Sequence, residues 1–204
     1  PWGVSVTYIH QDAPRGLAHA VLISEPFLAG EPFVMYLGDN LIARGINPFV
    51  KEFVKHAPAA QILLARVPDP QRFGVAELSN GRVVRLVEKP KVPKSDLALV
   101  GIYLFGPDVF ESVKLIKPSF RNELEITDAI QNLIDRGLTV RPHIVEGWWK
   151  DTGKPEDLLE ANRLILDTID RRVDGNVDAG SRIEGKVVVE PDAVIEGSVI
   201  RGPA

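Results

Sequence analysis

The sequence predicts an α/β protein, with a mixed, mainly parallel sheet flanked by helices and then the start of a parallel β-helix. Three observations carry this reading. Short, nearly all-apolar runs at 33–37 and 61–67 look like strands buried on both faces, as in a sheet covered by helices. Segments of helical period alternate with them, the order that builds parallel sheets. After Val173 the period changes: Val177, Ile183, Val189 and Ile195 recur every six residues, separated by small and turn residues. A six-residue apolar period marks a parallel β-helix, and four in-phase aliphatics outweigh two hairpins that share a spacing.

The elements follow in order. Residues 2–9 alternate like a strand, and 11–16 form a loop that releases a helix at Leu17. Residues 33–37 are a strand. Asn47-Pro48 opens a helix with a cap residue and a proline, and Phe49, Val50, Phe53 and Val54 follow at helical spacing. Residues 61–67 are a strand. Residues 74–78, 82–88 and 98–105 are three more, separated by Ser-Asn-Gly and Pro-Lys turns, which suggests antiparallel pairing among them. A helix at 125–136 stops at Gly137, and residues 140–145 are β-like. Residues 155–172 form an amphipathic helix with Leu158, Ala161, Ile165 and Ile169 on one stripe. The domain division expected from this pattern is 1–173 for the α/β part and 174–204 for the repeat. The chain opens on Pro-Trp-Gly and stops inside the repeat, so a fragment of a longer protein is expected, with further coils beyond Ala204.

Composition narrows the function. The 204 residues are 45% hydrophobic and 25% charged, the balance of an ordinary globular protein. A net charge of −4 argues against a protein that binds nucleic acid by neutralising phosphates. With no cysteine, thiolate chemistry and cysteine metal sites are excluded. No apolar run approaches the ~20 residues of a membrane span, and no secretory signal is visible, so the expected location is the cytoplasm. The four histidines show no ligand spacing.

Two aspartate turns stand out, Tyr36-Leu-Gly-Asp39-Asn40 and Trp149-Lys-Asp151-Thr-Gly153. Each follows a β-like run, and ligands of open α/β sheets gather beyond the carboxyl ends of strands. Two carboxylates delivered there could share Mg²⁺, which takes hard oxygen ligands and only one or two from protein. Ordinary turns are the alternative for each, since Asp, Asn and Gly favour turns for local reasons.

Six segments appear together in a recognisable order: Gly16-Leu-Ala-His-Ala20, Tyr36-Leu-Gly-Asp-Asn40, Arg72-Phe-Gly-Val75, Glu88-Lys-Pro90, Arg121-Asn-Glu-Leu-Glu-Ile-Thr-Asp128 and Trp149-Lys-Asp-Thr-Gly153. In this order and spacing the chain resembles the sugar-1-phosphate nucleotidylyltransferases, above all the glucose-1-phosphate thymidylyltransferases. The hexapeptide tail is similar to that of the longer members, which append a left-handed β-helix. The resemblance implies the nucleotidyltransferase fold and a Mg²⁺-dependent transfer of a nucleoside monophosphate, from dTTP or UTP, to a sugar 1-phosphate with release of pyrophosphate. It further implies a homo-oligomer.

By the same resemblance Asp39 and Asp151 are metal-binding and catalytic, and Lys89 and Arg121 hold the sugar phosphate, with Lys89 counted among the catalytic residues. Glu88 is implied to bind sugar hydroxyls. Gly74 leaves room for the sugar ring, and Gln11 and Gly16 read the pyrimidine. Trp149 packs at the pocket. Local alternatives stand beside these roles: a solvated loop for Lys89, an ion pair with Glu123 or Glu125 for Arg121, and Arg85 as a cross-strand partner for Glu88. For Gly74 the alternative is a strand glycine, and for Trp149 a core anchor. The family's Gly-rich triphosphate loop has no counterpart here, since no Gly-x-Gly occurs, so the chain by itself is expected to be inactive. Two other readings remain. One is an inactive regulatory or assembly subunit with hexapeptide repeats; the other is a bifunctional nucleotidylyltransferase and acyltransferase. A glycosyltransferase is disfavoured because no Asp-x-Asp occurs.

Overall fold

A computed structural model describes residues 3–204. The chain falls into two compact units, one ending at Trp149 and the other spanning Lys150–Ala204.

The first unit begins with an extended segment that joins no strand over residues 3–10, where Val4, Val6 and Tyr8 are exposed. The strand expected at 2–9 is therefore absent over its described part, and Trp2 lies outside the described residues. Alternation alone cannot make a strand when no neighbour supplies its hydrogen bonds. Helix α1 (Leu17–Leu28) follows, then β1 (Phe33–Tyr36), β2 (Asn40–Ile42), α2 (Asn47–His56) and β3 (Ala60–Arg66). A 3₁₀ turn at Pro70–Arg72 leads into β4 (Gly74–Ser79), β5 (Arg82–Glu88) and β6 (Leu97–Phe105). Helices α3 (Asp108–Leu115) and α4 (Ile126–Asp135) precede β7 (Val140–Ile144) and the short β8 (Trp149–Asp151).

The sheet runs β5-β4-β6-β3-β7, with β1 also paired to β6. The class is the expected mixed α/β. Within it, β3 and β7 are parallel, while β1–β6, β3–β6, β4–β5 and β4–β6 are antiparallel. The balance shifts because β6 opposes all three of its neighbours, extending the antiparallel pairing that the 74–105 turns announced.

Strand β6 is buried at every position, so both of its faces must be covered. On one face Leu99, Tyr103 and Phe105 pack with Ala18 and Val21 of α1, Val109 and Phe110 of α3, and Ile126, Ile130 and Leu133 of α4. On the other, Val100, Ile102 and Leu104 meet Phe49 and Phe53 of α2. Each large side chain so buried contributes about 1.5–3 kcal/mol, which makes this strand the axis of the unit. Helix α3 answers no element of the sequence reading, since its eight residues carry barely two turns of periodicity.

In the second unit α5 (Pro155–Leu166) stops six residues short of the expected end, because Arg172–Val173 pairs instead as strand β9. Of its apolar stripe, Ala161 is buried, while Leu158 and Ile165 are about half exposed. The short strands β10 (Asn176–Val177), β11 (Arg182–Glu184), β12 (Val188–Val189), β13 (Val194–Ile195) and β14 (Val199–Arg201) complete the chain. Their pairs are all parallel: Val177 faces Ile195, Ile183 faces Ile200, and Val173 faces Val189. Partners lie one coil of three short runs apart, the stacking expected of a partial β-helix.

Candidate active site

The loop between α3 and α4 meets the start of α1 and the end of β5. Gly16 sits at φ 92°, and a Cβ there would lie 2.5 Å from the Leu124 carbonyl oxygen. The backbones are joined at this point: Leu124 N–H donates to the Arg15 carbonyl at 2.8 Å, and Ala18 N–H to that of Leu124 at 3.1 Å. Glycine is therefore required by the close approach of two loops as well as by its positive φ. Gln11 is held over this junction, its Nε2 donating to the Gly16 carbonyl at 3.3 Å and lying 2.9 Å from His19 Nδ1.

Glu88 ends β5, opposite Gly74 in register. Its neighbours are Thr127, whose hydroxyl donates to Oε2 at 3.4 Å, and the Lys89 ammonium at 4.0 Å from Oε1. Burial raises the Glu88 carboxyl above its ordinary range, and the nearby Glu125 charge adds to this against the opposing pull of Lys89 and Arg121. Arg85 faces Glu77 instead, so the cross-strand alternative for Glu88 is not what forms. Gly74 has a reason internal to the protein: a Cβ would lie 2.7 Å from Thr127 Cγ2 and 3.2 Å from Glu88 Oε2.

Lys89 adopts φ 40°, a left-handed backbone unusual for a lysine and more so before proline. Its N–H donates to the Phe73 carbonyl at 3.1 Å, which helps fix this turn, while the side chain is about half exposed. Strain of this kind concentrates at functional sites.

Arg121 is ion-paired, as its local alternative had it. Nε donates to Glu125 Oε1 at 3.2 Å, and the guanidinium also meets Glu123. Glu125 is 5% exposed and accepts a further bond from the Ser119 hydroxyl at 2.7 Å. The sequence offers Glu125 as an ion-pair partner of Arg121, holds Thr127 inside the 121–128 segment without a role of its own, and gives Ser119 none. Nothing local marks Thr127, whose partner lies 39 positions away.

Asp39 is exposed, in the turn between β1 and β2, and its Oδ1 accepts the Asn40 side-chain amide at 2.8 Å. Trp149 packs edge-on to Phe73 with ring centroids 5.3 Å apart, and its indole N–H donates to Asn40 Oδ1 at 2.7 Å. In the second unit Asp151 is half-buried, and its Oδ1 accepts the Gly153 N–H at 3.0 Å. The neighbouring Lys150 is clamped by Asp157 and Glu160 of α5. Among the described residues no group of three or more His, Cys, Asp or Glu could cage a metal. Asp39 and Asp151 each offer hard carboxylate oxygens, the donor type that Mg²⁺ takes.

The first unit thus brings together Gln11 with Gly16, and Gly74, Glu88 and Lys89 with Arg121 through Thr127 and Glu125. Asp39 is joined to Trp149 through Asn40.

Comparison with known proteins gives the same pattern a family. The family model described as "Nucleotidyl transferase" matches residues 1–168. A glucose-1-phosphate thymidylyltransferase of Streptomyces griseus is 53% identical over 203 residues, 99% of this chain and 57% of that protein. A low-salt glycan biosynthesis nucleotidyltransferase of Haloferax volcanii is 46% identical over 94% of the chain and 54% of its own length. The chain therefore spans a little over half the length of these relatives. Among solved structures, one from Bacillus anthracis described as a glucose-1-phosphate thymidylyltransferase, in complex with sucrose, superposes with a TM-score of 0.75 at 42% identity, covering 84% of this chain and 69% of that one. A mixed sheet carrying the six ordered segments, matched by the family pattern over most of its length, establishes that this chain belongs to the nucleotidyl transferase family.

Proposed function

We propose that the protein containing this chain is a sugar-1-phosphate nucleotidylyltransferase, taking dTTP and glucose 1-phosphate to a nucleoside diphosphate sugar and pyrophosphate. The observation that carries this is the 53% identity to a glucose-1-phosphate thymidylyltransferase over 99% of the chain. The grouping of Glu88, Lys89 and Arg121 supports it. In the reaction a phosphate oxygen of the sugar phosphate bonds to the α-phosphorus, the bond from that phosphorus to the bridging oxygen breaks, and pyrophosphate leaves. Such transfers rely on positioning and charge neutralisation.

Each residue has a part consistent with its surroundings. The exposed Lys89 ammonium is a point charge for the sugar phosphate, presented by a fixed turn. Arg121 is a second cation, held in place by Glu123 and Glu125 and shared with the incoming phosphate. Glu88, its proton affinity raised by burial, suits hydrogen bonding to sugar hydroxyls. Gln11 and Gly16 offer an amide and a tight backbone for the base. Asp39 and Asp151 would hold Mg²⁺, which supplies Lewis-acid stabilisation of phosphate charge when bound.

The residue boundary 173/174 between the α/β domain and a left-handed repeat, a cytoplasmic location and a homo-oligomeric state belong to the same proposal. No helix among the described residues is long and apolar enough to cross a membrane. A second reading, a bifunctional enzyme, draws on a bifunctional relative from Methanococcus aeolicus at 36% identity. The lower identity makes it secondary.

Pyrophosphate release by the full-length protein, assayed against a panel of nucleoside triphosphates and sugar 1-phosphates, tests the proposal. The dTTP and glucose 1-phosphate pair is expected to be fastest. Release from no pair overturns the proposal in favour of an inactive subunit.

A further inference from the structure

The residue after Asp39 is built into the protein more firmly than Asp39 itself. Asn40 is 4% exposed beside an exposed carboxylate. Its Oδ1 accepts two hydrogen bonds, from the Gly101 N–H at 2.9 Å and the Trp149 indole N–H at 2.7 Å. Both partners are obligate donors, so they settle which end of the amide is oxygen. Nδ2 is thereby the end that donates to Asp39 Oδ1, at 2.8 Å.

The backbone is fixed as well. Asn40 N–H donates to the Leu37 carbonyl at 3.1 Å, and the Tyr36 hydroxyl donates to the Asn40 carbonyl at 3.1 Å. At Gly101 a Cβ would lie 2.5 Å from Asn40 Nδ2 and 2.8 Å from Leu37 Cδ1. A glycine in the middle of the central strand is thus what admits the amide.

We infer that Asn40 is a positioning residue for the Asp39 carboxylate, holding it from β6 through Gly101 and from the start of the second aspartate turn through Trp149. The inference rests on the nucleotidyl-transfer reading of Asp39. An amide of fixed orientation restricts the rotation of the short carboxylate beside it before the substrate arrives. Partners of this kind orient ligand groups, and their loss typically costs 10–100-fold in affinity or activity. Asparagine suits the place because its amide puts a two-bond acceptor and a separate donor on one short planar group. Aspartate could accept from Gly101 and Trp149 but, when ionised, could not donate to Asp39.

The test uses the full-length protein and two variants. Asn40→Asp retains an acceptor for both N–H groups, while it replaces the donor with a buried carboxyl beside Asp39. Measured where the variant is still folded, its kcat for pyrophosphate release is expected to fall about 10–100-fold with KM for both substrates near those of wild type, and its melting temperature is expected to drop because a charge is buried. The second measurement is spectroscopic. Mn²⁺ added with dTTP is expected to broaden the Asn40 side-chain amide and Trp149 indole N–H resonances of the wild-type protein, and Asp39→Asn should remove that broadening. Wild-type kcat in Asn40→Asp, a loss that only follows unfolding, or resonances indifferent to Mn²⁺ would each overturn the role of Asn40. The failures are separable: full activity in Asp39→Asn removes the nucleotidyl-transfer reading of that carboxylate itself. An inactive Asp39→Asn beside a fully active Asn40→Asp removes the inference alone.

Discussion

Arg121 and Glu125 are locked together, with Nε 3.2 Å from Oε1 of a carboxylate that is 5% exposed. A buried carboxylate that loses its cation is costly, about 3–5 kcal/mol where nothing else compensates. Here the Ser119 hydroxyl still donates to Glu125, so Arg121→Ala should destabilise by less, about 2 kcal/mol. Urea unfolding measures this. Arg121→Ala combined with Glu125→Gln should recover much of the loss, because no uncompensated charge remains; a simple sum of the two single effects would show that the pair is not coupled.

Gly74 and Thr127 are a steric pair, since a Cβ on Gly74 would lie 2.7 Å from Thr127 Cγ2. Gly74→Ala should cost roughly 1–3 kcal/mol by overpacking. Thr127→Ser removes the offending methyl and keeps the hydroxyl that Glu88 accepts. The double variant should therefore be more stable than Gly74→Ala alone, read as a higher melting temperature. If it is not, the glycine is required for some reason other than Thr127.

At Lys89 two substitutions separate backbone from side chain. Both Lys89→Ala and Lys89→Gly remove the ammonium, so each should raise the apparent KM for the sugar phosphate about tenfold, the loss of about one charge-assisted contact. Only glycine relieves the left-handed backbone at φ 40°. Lys89→Gly should exceed Lys89→Ala in stability by about 1 kcal/mol. Equal stabilities would mean that the turn stores no strain.

Glu88 gives a pH dependence whose sign follows from its environment. Burial is the largest cause of its raised proton affinity, followed by the Glu125 charge. A carboxyl raised in the folded state contributes stability below its unfolded value and loses it as pH rises through the folded one. Glu88→Gln should therefore match wild type at acid pH and become the more stable of the two as pH climbs through the carboxylate range toward neutral. Denaturant midpoints across that range measure it. A variant no more stable than wild type at neutral pH would show that Lys89, Arg121 and Thr127 outweigh the burial.

Much of this molecule was legible in the chain. Strands β3, β5 and β6 came from apolar runs whose neighbours in sequence set their ends, and the six-residue period announced the parallel coils. Helix α4 and its stop at Gly137 were likewise local facts. The candidate residues Asp39, Glu88, Lys89 and Arg121 were named from ordered motifs, because a motif is itself a record of sequence. Sequence supplied the near partner of Arg121 but not distant ones, such as Thr127 for Glu88. Val4, Val6 and Tyr8 alternate like a strand yet join none, since pairing depends on a neighbour that alternation does not specify.

The sequence by itself determined the class, the family and the chemical inventory of the site, because hydrophobic period and motif order are properties of neighbouring residues. Tertiary structure alone decided that Glu88 accepts from Thr127, that Asn40 accepts from Trp149, and that Gly74 and Gly101 are glycines for the sake of Thr127 and Asn40. Those relations join residues up to 109 positions apart, as Asn40 and Trp149 are. They form only when the sheet brings its strands side by side, and no local propensity encodes a hydrogen bond across that distance.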